Sequence, residues 1–144
     1  MIEKDTIRLL RECDSGVKMG IQSIELVLDC VESENLKTKL QDCKEEHEKL
    51  SNELQSLLER YGDEGKSPGI MLEWMAWMKT KMKLLMAPTD ATIADLITQG
   101  CDMGVKSLNK YLNEYEAADE VSKDITKRLI KIEEKLTSQI RDFL

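Results

Sequence analysis

Residues 13–18 read Cys13-Asp14-Ser15-Gly16-Val17-Lys18, and residues 101–106 read Cys101-Asp102-Met103-Gly104-Val105-Lys106, so only Ser15 and Met103 differ. A second parallel follows each copy at nearly the same interval: Glu46-His47-Glu48-Lys49-Leu50 in the first half, Ile132-Glu133-Glu134-Lys135-Leu136 in the second. The simplest reading is one helical hairpin used twice. It divides a single domain, 1–144, into hairpin 1 over 5–62, a crossover over 63–89 and hairpin 2 over 90–144.

Working outward from the first copy, Ile7, Leu10, Val17, Ile21, Ile24 and Leu28 keep the three-and-four register of a bundle helix and predict a helix from Thr6 to Cys30. Ser33 is placed to cap a second helix, because its hydroxyl can accept a hydrogen bond from a free first-turn N–H. Leu36, Leu40, Cys43, His47, Leu50, Leu54 and Leu57 share one face of that helix, and Gly62 after Tyr61 supplies a left-handed stop. So short a turn between them makes the pair antiparallel. After the breaker-rich Gly62-Asp63-Glu64-Gly65-Lys66, Ser67 as cap and Pro68 at the first position start a crossover helix over about 69–86. At roughly 27 Å it is long enough to carry the chain along a bundle. Thr89 caps a third long helix presenting Ile93, Ile97, Cys101, Val105, Leu108, Leu112 and Tyr115. Asp119 caps a fourth, with Val121, Ile125, Leu129, Ile132, Leu136, Ile140 and Phe143 on its stripe. The fold class read from this pattern is all-α: a four-helix bundle of two antiparallel hairpins, with an extra helix in the long crossover.

A hydrophobic content of 41% beside 34% charged residues suits amphipathic helices and is too apolar for a disordered chain. The net charge of −7 argues against a nucleic-acid partner, since Lys79, Lys81 and Lys83 form the only close basic cluster. The most apolar stretch, about 70–86, is interrupted by Glu73 and those lysines and falls short of the ~20 apolar residues of a membrane span. The start Met1-Ile2-Glu3-Lys4-Asp5 lacks the basic-then-apolar pattern of a secretion signal. Cys13, Cys30, Cys43 and Cys101 show no Cys-x-x-Cys spacing and read as reduced thiols of a cytoplasmic protein.

Three features could carry chemistry. The first is the repeated motif itself. Asp14 with Lys18, and Asp102 with Lys106, are four apart and read as surface ion pairs worth a few tenths of a kcal/mol. Gly16 and Gly104 cost ~1 kcal/mol each inside a helix, which implies a packing reason. The expectation is that the first and third long helices approach closely there, with Cys13 and Cys101 as small neighbours in the core; a redox role for the thiols is the alternative. The second is His47, the only histidine, on the apolar face of its helix and aligned with Glu133 in the second half. A lone histidine there reads first as a satisfied core residue. A di-iron site would need Glu-x-x-His on two helices, and the matching places hold Lys44 before His47 and Ile130 before Glu133. The third is the methionine stripe Met71, Met75, Met78, Met82 and Met86, flanked by Trp74 and Trp77. It reads as groove-filling thioethers, as a partner surface, or as soft donors for Cu(I). No phosphate loop, nucleophile–histidine pair or zinc spacing is present in the sequence.

The layout resembles the ferritin-like superfamily and, more narrowly, an uncharacterised bacterial family described as a ferritin-like domain of unknown function. The residues that carry the resemblance are the Cys13-Asp14-Ser15-Gly16 stretch, the crossover Trp74-Met75-Ala76-Trp77-Met78-Lys79 and Gly100-Cys101-Asp102. Members carry acidic residues after the first-helix glycine and at the matching place on the third. Here those places hold Val17-Lys18 and the run from Asp102 to Lys106. The resemblance therefore implies a ferritin-like bundle whose metal site has degenerated.

The functional expectation is a non-enzymatic bundle that acts through protein–protein contact or self-association, with no cofactor and no metal. Met71, Trp74, Met75, Trp77, Met78 and Met82 are the candidate interaction residues. The rival expectation is a ferritin-like metal-binding protein or metal-dependent oxidase using His47 and Glu133. A third arrangement puts Lys18 or Lys106 into the interior, beside His47 and Glu133, where a metal once sat.

Overall fold

The computed structural model of the chain describes residues 4–65 and 69–144, apart from the side chains of 69–71. Five α-helices occupy the described residues: α1 (Lys4–Leu28), α2 (Glu34–Arg60), α3 (Gly69–Leu84), α4 (Asp90–Glu114) and α5 (Glu120–Ile140), with a single 3-10 turn at Arg141–Phe143 and no strand. None of these helices is long and apolar enough to cross a membrane.

Three expected caps form as the side-chain chemistry requires. The hydroxyls of Ser33 and Thr89 accept from the N–H groups of Leu36 and Thr92 at 3.3 and 3.2 Å, and the Asp119 carboxylate accepts from Ser122 at 2.8 Å. Gly62 stops α2 at φ 68°. The expected cap at Ser67 and helix start at Pro68 lie outside the described residues. Two ends come earlier than the apolar pattern predicts. α1 stops at Leu28 rather than Cys30, where the Cys30 and Val31 N–H groups bond back to Val27 and Leu28 in a turn. α3 stops at Leu84 rather than 86, because Met86 takes a left-handed φ of 50° that no helix can continue through.

α1 packs on α2, α4 and α5, while α5 packs on α2 and α4 as well; α3 lies against α1. The four long helices thus enclose the core in the order α1, α2, α5, α4, with α1 and α5 also touching across the middle. Two apolar clusters fill that core. One is built around Val27, Leu36, Leu40, Ile93, Ile97 and Ile140, the other around Leu10, Val17, Leu54, Leu58, Leu108 and Leu129. Val121, expected on the α5 stripe, is exposed. Ser122 takes the buried position beside it, because both its N–H and its hydroxyl bond back to Asp119, at 2.8 and 3.0 Å.

The two hairpins grip each other's turns. The Asp90 carboxylate at the start of α4 accepts from the Glu32 and Ser33 N–H groups, each at 2.9 Å, in the α1–α2 turn. At the opposite end, Asp5 and Thr6 of α1 accept from the N–H groups of Ala117 and Asp119, at 3.2 and 2.8 Å, in the α4–α5 turn. These contacts satisfy backbone donors that the turns cannot satisfy themselves.

A buried leucine and an exposed one should respond very differently. Leu54→Ala, at a fully buried site, lowers unfolding free energy by about 2–5 kcal/mol, and Leu84→Ala, at an exposed one, changes it by less than about 0.5 kcal/mol, both measured by urea titration.

Candidate functional site

The two apolar clusters meet at a polar layer. On α2 the residues one turn before and after His47, Cys43 and Leu50, belong to different clusters; on α5 the same is true of Leu136 and Ile130, with Glu133 between them. Helical spacing therefore turns His47 and Glu133 inward at the same level, where they are only 2% and 4% exposed. The His47 Nε2 lies 3.7 Å from the Glu133 Oε1. The other ring nitrogen, Nδ1, donates to the Cys43 carbonyl at 2.8 Å, which fixes the ring plane.

Glycines make the space for this pair. A Cβ at Gly20 of α1 would stand 2.5 Å from the His47 Nε2, and one at Gly104 of α4 would run into the Glu133 carboxylate. Gly100, one turn earlier on α4, admits the Trp74 ring, which a Cβ there would meet at 2.9 Å. The Trp74 indole N–H donates to the Ser23 hydroxyl at 2.9 Å, and that hydroxyl points to the Met75 sulfur at 3.6 Å, so α3 is fastened over the layer. Beneath it a cavity of about 30 Å³ is left between Gly20, His47, Trp74, Gly100, Cys101 and Glu133.

Neither the His47 Nε2 nor the Glu133 Oε2 receives a hydrogen bond from the protein. A buried polar atom left without a partner costs about 1–3 kcal/mol. Burial raises the Glu133 carboxyl above its ordinary value, against the opposing pull of His47. For His47, burial works against the imidazolium, but the contacts with Cys43 and the nearby Glu133 carboxylate outweigh it and move the ring from 6.5 up to about 10. The two groups therefore titrate as a coupled pair. Burial, followed by the charge on Glu133, pushes the Cys101 thiol well above its usual range, which leaves it a poor nucleophile.

The other sequence candidates fall in different places. Cys13 lies in the second cluster, 3.0 Å from the Thr126 hydroxyl, with its thiol pushed up to about 12 chiefly by burial, whereas Cys101 belongs to the first. They are not neighbours. The expected close approach of the first and third long helices at Gly16 and Gly104 is corrected likewise: Gly16 faces Leu129 at 3.5 Å and Gly104 faces Glu133, both on α5. The Asp14–Lys18 pair is no surface pair. Asp14 is fully buried, bonded to Lys18 at 2.7 Å and Gln55 at 2.8 Å, while Asp102 and Lys106 are exposed. Neither Lys18 nor Lys106 lines the cavity, so the arrangement with an interior lysine beside His47 and Glu133 is not formed. Lys44 points outward to Glu25 at 3.3 Å. On α3, Met75 and Met78 are buried and Trp74 and Met82 half-buried, so these candidate interaction residues pack inward; Trp77 is exposed, and the Met71 side chain lies outside the described ones.

Gly20 escaped sequence reasoning, and Gly100 entered it only through the family resemblance, although the signal was present. Gly16 with Gly20, and Gly100 with Gly104, are each four apart and so share a helix face. Among the described residues, no group of three or more His, Cys, Asp and Glu side chains is arranged to hold a metal ion.

The raised values have a definite sign for folding. A group that holds its proton more tightly when folded stabilises the native state below its unfolded pKa and loses that contribution as pH climbs. For His47 the contribution is complete below pH 6.5 and lost through about 10; Glu133 acts with the same sign, and the thiols of Cys13 and Cys101 add to it above pH 9. The urea midpoint of the protein therefore falls from pH 6.5 to pH 9, and that slope is smaller in His47→Gln. Gly104→Ala, which forces the Glu133 carboxylate aside, costs about 1–3 kcal/mol in the same assay.

No curated protein and no solved structure matches the chain. A family match does exist, over residues 5–114, which takes in α1 to the end of α4 and leaves α5 with Glu133 outside it. The polar layer is thus assembled from helices on both sides of that boundary, and the chain belongs to the family described as Domain of unknown function (DUF2383).

Proposed function

We propose that the protein is a non-enzymatic helical module that works by self-association, using the outward side of α3 and the turn that follows it. The observation that carries this reading is where the exposed apolar side chains lie. Leu72, Trp77, Leu84, Leu85 and Met86 fall within that one segment, with Leu84 74% and Met86 94% exposed. Isolated surface leucines need no explanation, but a run of them on one element marks an interaction surface. Trp77 adds an aromatic anchor, its ring tilted 32° against Trp74 at 5.1 Å between centroids and covered by the Lys81 ammonium at 5.6 Å.

Charge argues for a second copy as the partner. α3 carries Lys79, Lys81 and Lys83 against the single Glu73, in a chain of net charge −7. A basic apolar helix fits the acidic surface that the rest of the same chain presents. Two hairpins joined by a long crossover support a ferritin-like arrangement with an internal duplication, and the reciprocal grip of the turns is what a duplicated hairpin would give. Buried reduced cysteines suit a cytoplasmic setting.

The rival reading is a metal protein using His47 and Glu133, and it draws on their meeting in the core. Two donors fall short of the three or four protein ligands that a transition metal takes. Elemental analysis after expression with iron, manganese, zinc or copper decides between them: a stoichiometric metal lost in His47→Ala replaces the interaction reading.

Light scattering on purified protein should give a mass of two copies or more. Leu72→Asp combined with Leu84→Asp should weaken association at least tenfold while leaving helical content unchanged, and raising salt should weaken it further. A strict monomer at high concentration overturns the proposal.

A further inference from the structure

We propose that the cavity beneath Trp74 is a built hydration site, in which one or two water molecules join the His47 Nε2 to the Glu133 Oε2. Such a site is independent of what α3's outer side binds. Size sets the first limit. A cavity of about 30 Å³ has room for at most two or three molecules of water, each of which needs about 10–15 Å³, and for nothing much larger.

The lining sets the second limit. Its polar atoms include the two that receive no hydrogen bond from the protein, Nε2 and Oε2, on residues that are each more than nine-tenths buried. Their parent groups stand 3.7 Å apart at the closest, beyond direct hydrogen-bond reach but within the span one bridging molecule closes. A small anion would meet the Glu133 carboxylate. A metal ion would lack a third His, Cys, Asp or Glu donor among the described residues. What remains is a small neutral molecule that both donates and accepts.

Water meets both protonation states of the pair. With Nδ1 committed to the Cys43 carbonyl, a neutral ring offers the Nε2 lone pair; the Glu133 carboxyl, then protonated, donates to the water, and the water donates to Nε2. When the ring is protonated, Nε2–H donates to the water, which donates to the carboxylate. The proton can thus be exchanged between imidazole and carboxylate within the core, with no net charge gained or lost by the layer. The surrounding architecture is consistent with a retained site: Gly20 and Gly104 hold the two polar groups clear of backbone, and Gly100 lets Trp74 close the outer wall, bonded to Ser23.

A high-resolution crystal structure of the full chain, with oxygen-17 relaxation dispersion in solution, tests the proposal. The expected result is a density peak within about 2.6–3.2 Å of both Nε2 and Oε2, with a matching long-lived water signal. That signal should be lost when His47→Leu and Glu133→Leu are combined. Overturning results are a dry cavity, a direct His47–Glu133 bond, a metal at stoichiometric occupancy, or a long-lived signal that survives in the double variant. If the double variant fails to fold, the density in the unaltered protein decides alone.

Discussion

An imidazole and a carboxylate facing each other inside an apolar core constrain everything around them. Neither group tolerates burial without polar company, and neither fits among four closely packed helices unless a neighbour gives up its side chain. Gly20 and Gly104 do so on α1 and α4. The consequence spreads outward. With side chains missing at the waist, the layer is open on the α1–α4 side, and the ring of Trp74 closes it through a gap that Gly100 provides. α3 is held where it is by that ring, by Met75 and Met78, and by the Ser23 hydroxyl shared between Trp74 and Met75. A crossover long enough to be a simple connector is thus also a cover.

The ends of the assembly are organised by a different force. At each hairpin turn the backbone donors are bonded by side chains from the first turn of the other hairpin, Asp90 at one end and Asp5 with Thr6 at the other. Such contacts act on register and orientation more than on total stability, which comes from the two apolar clusters. The exposed ion pairs add little. Arg128 makes a two-pronged contact to Glu53 at 2.9 and 3.0 Å between α5 and α2, yet pairs this exposed contribute at most about 1 kcal/mol. Arg11, bound to Asp63, acts more locally. It ties the start of the crossover to α1, beside the point where Gly65 passes against the buried Asp14.

α3 shows how one helix can mislead a reader of sequence. Its methionines and tryptophans look like a single adhesive face, but burial divides them. Met75 and Met78 turn into the core, while the exposed apolar surface belongs to Leu72, Trp77 and the residues at the helix end. The stripe is broken at Met86 for a backbone reason: its left-handed φ ends the helical register, so its side chain no longer follows Met82. Asp14 misleads in the opposite direction. Its spacing to Lys18 is that of a surface pair, and only the approach of Gln55 and the crossover buries it.

What the sequence by itself determined was local: helices where apolar residues keep the three-and-four register, caps where Ser33, Thr89 and Asp119 can bond free N–H groups, and a stop where Gly62 can turn left-handed. Those features depend on residues within a turn or two of one another. The inward direction of His47 was legible for the same reason; Glu133 was reached only through its alignment with His47 in the repeat, since the α5 stripe ran through Ile132. The tertiary structure alone decided that they face each other, that the glycines make room for side chains of α2, α3 and α5, and that Asp14 is interior while Asp102 is exposed. Periodicity gives the angle of a side chain about its own helix axis. It carries no information on which helix stands opposite, and that was set by how four stripes and one crossover could close around a polar waist.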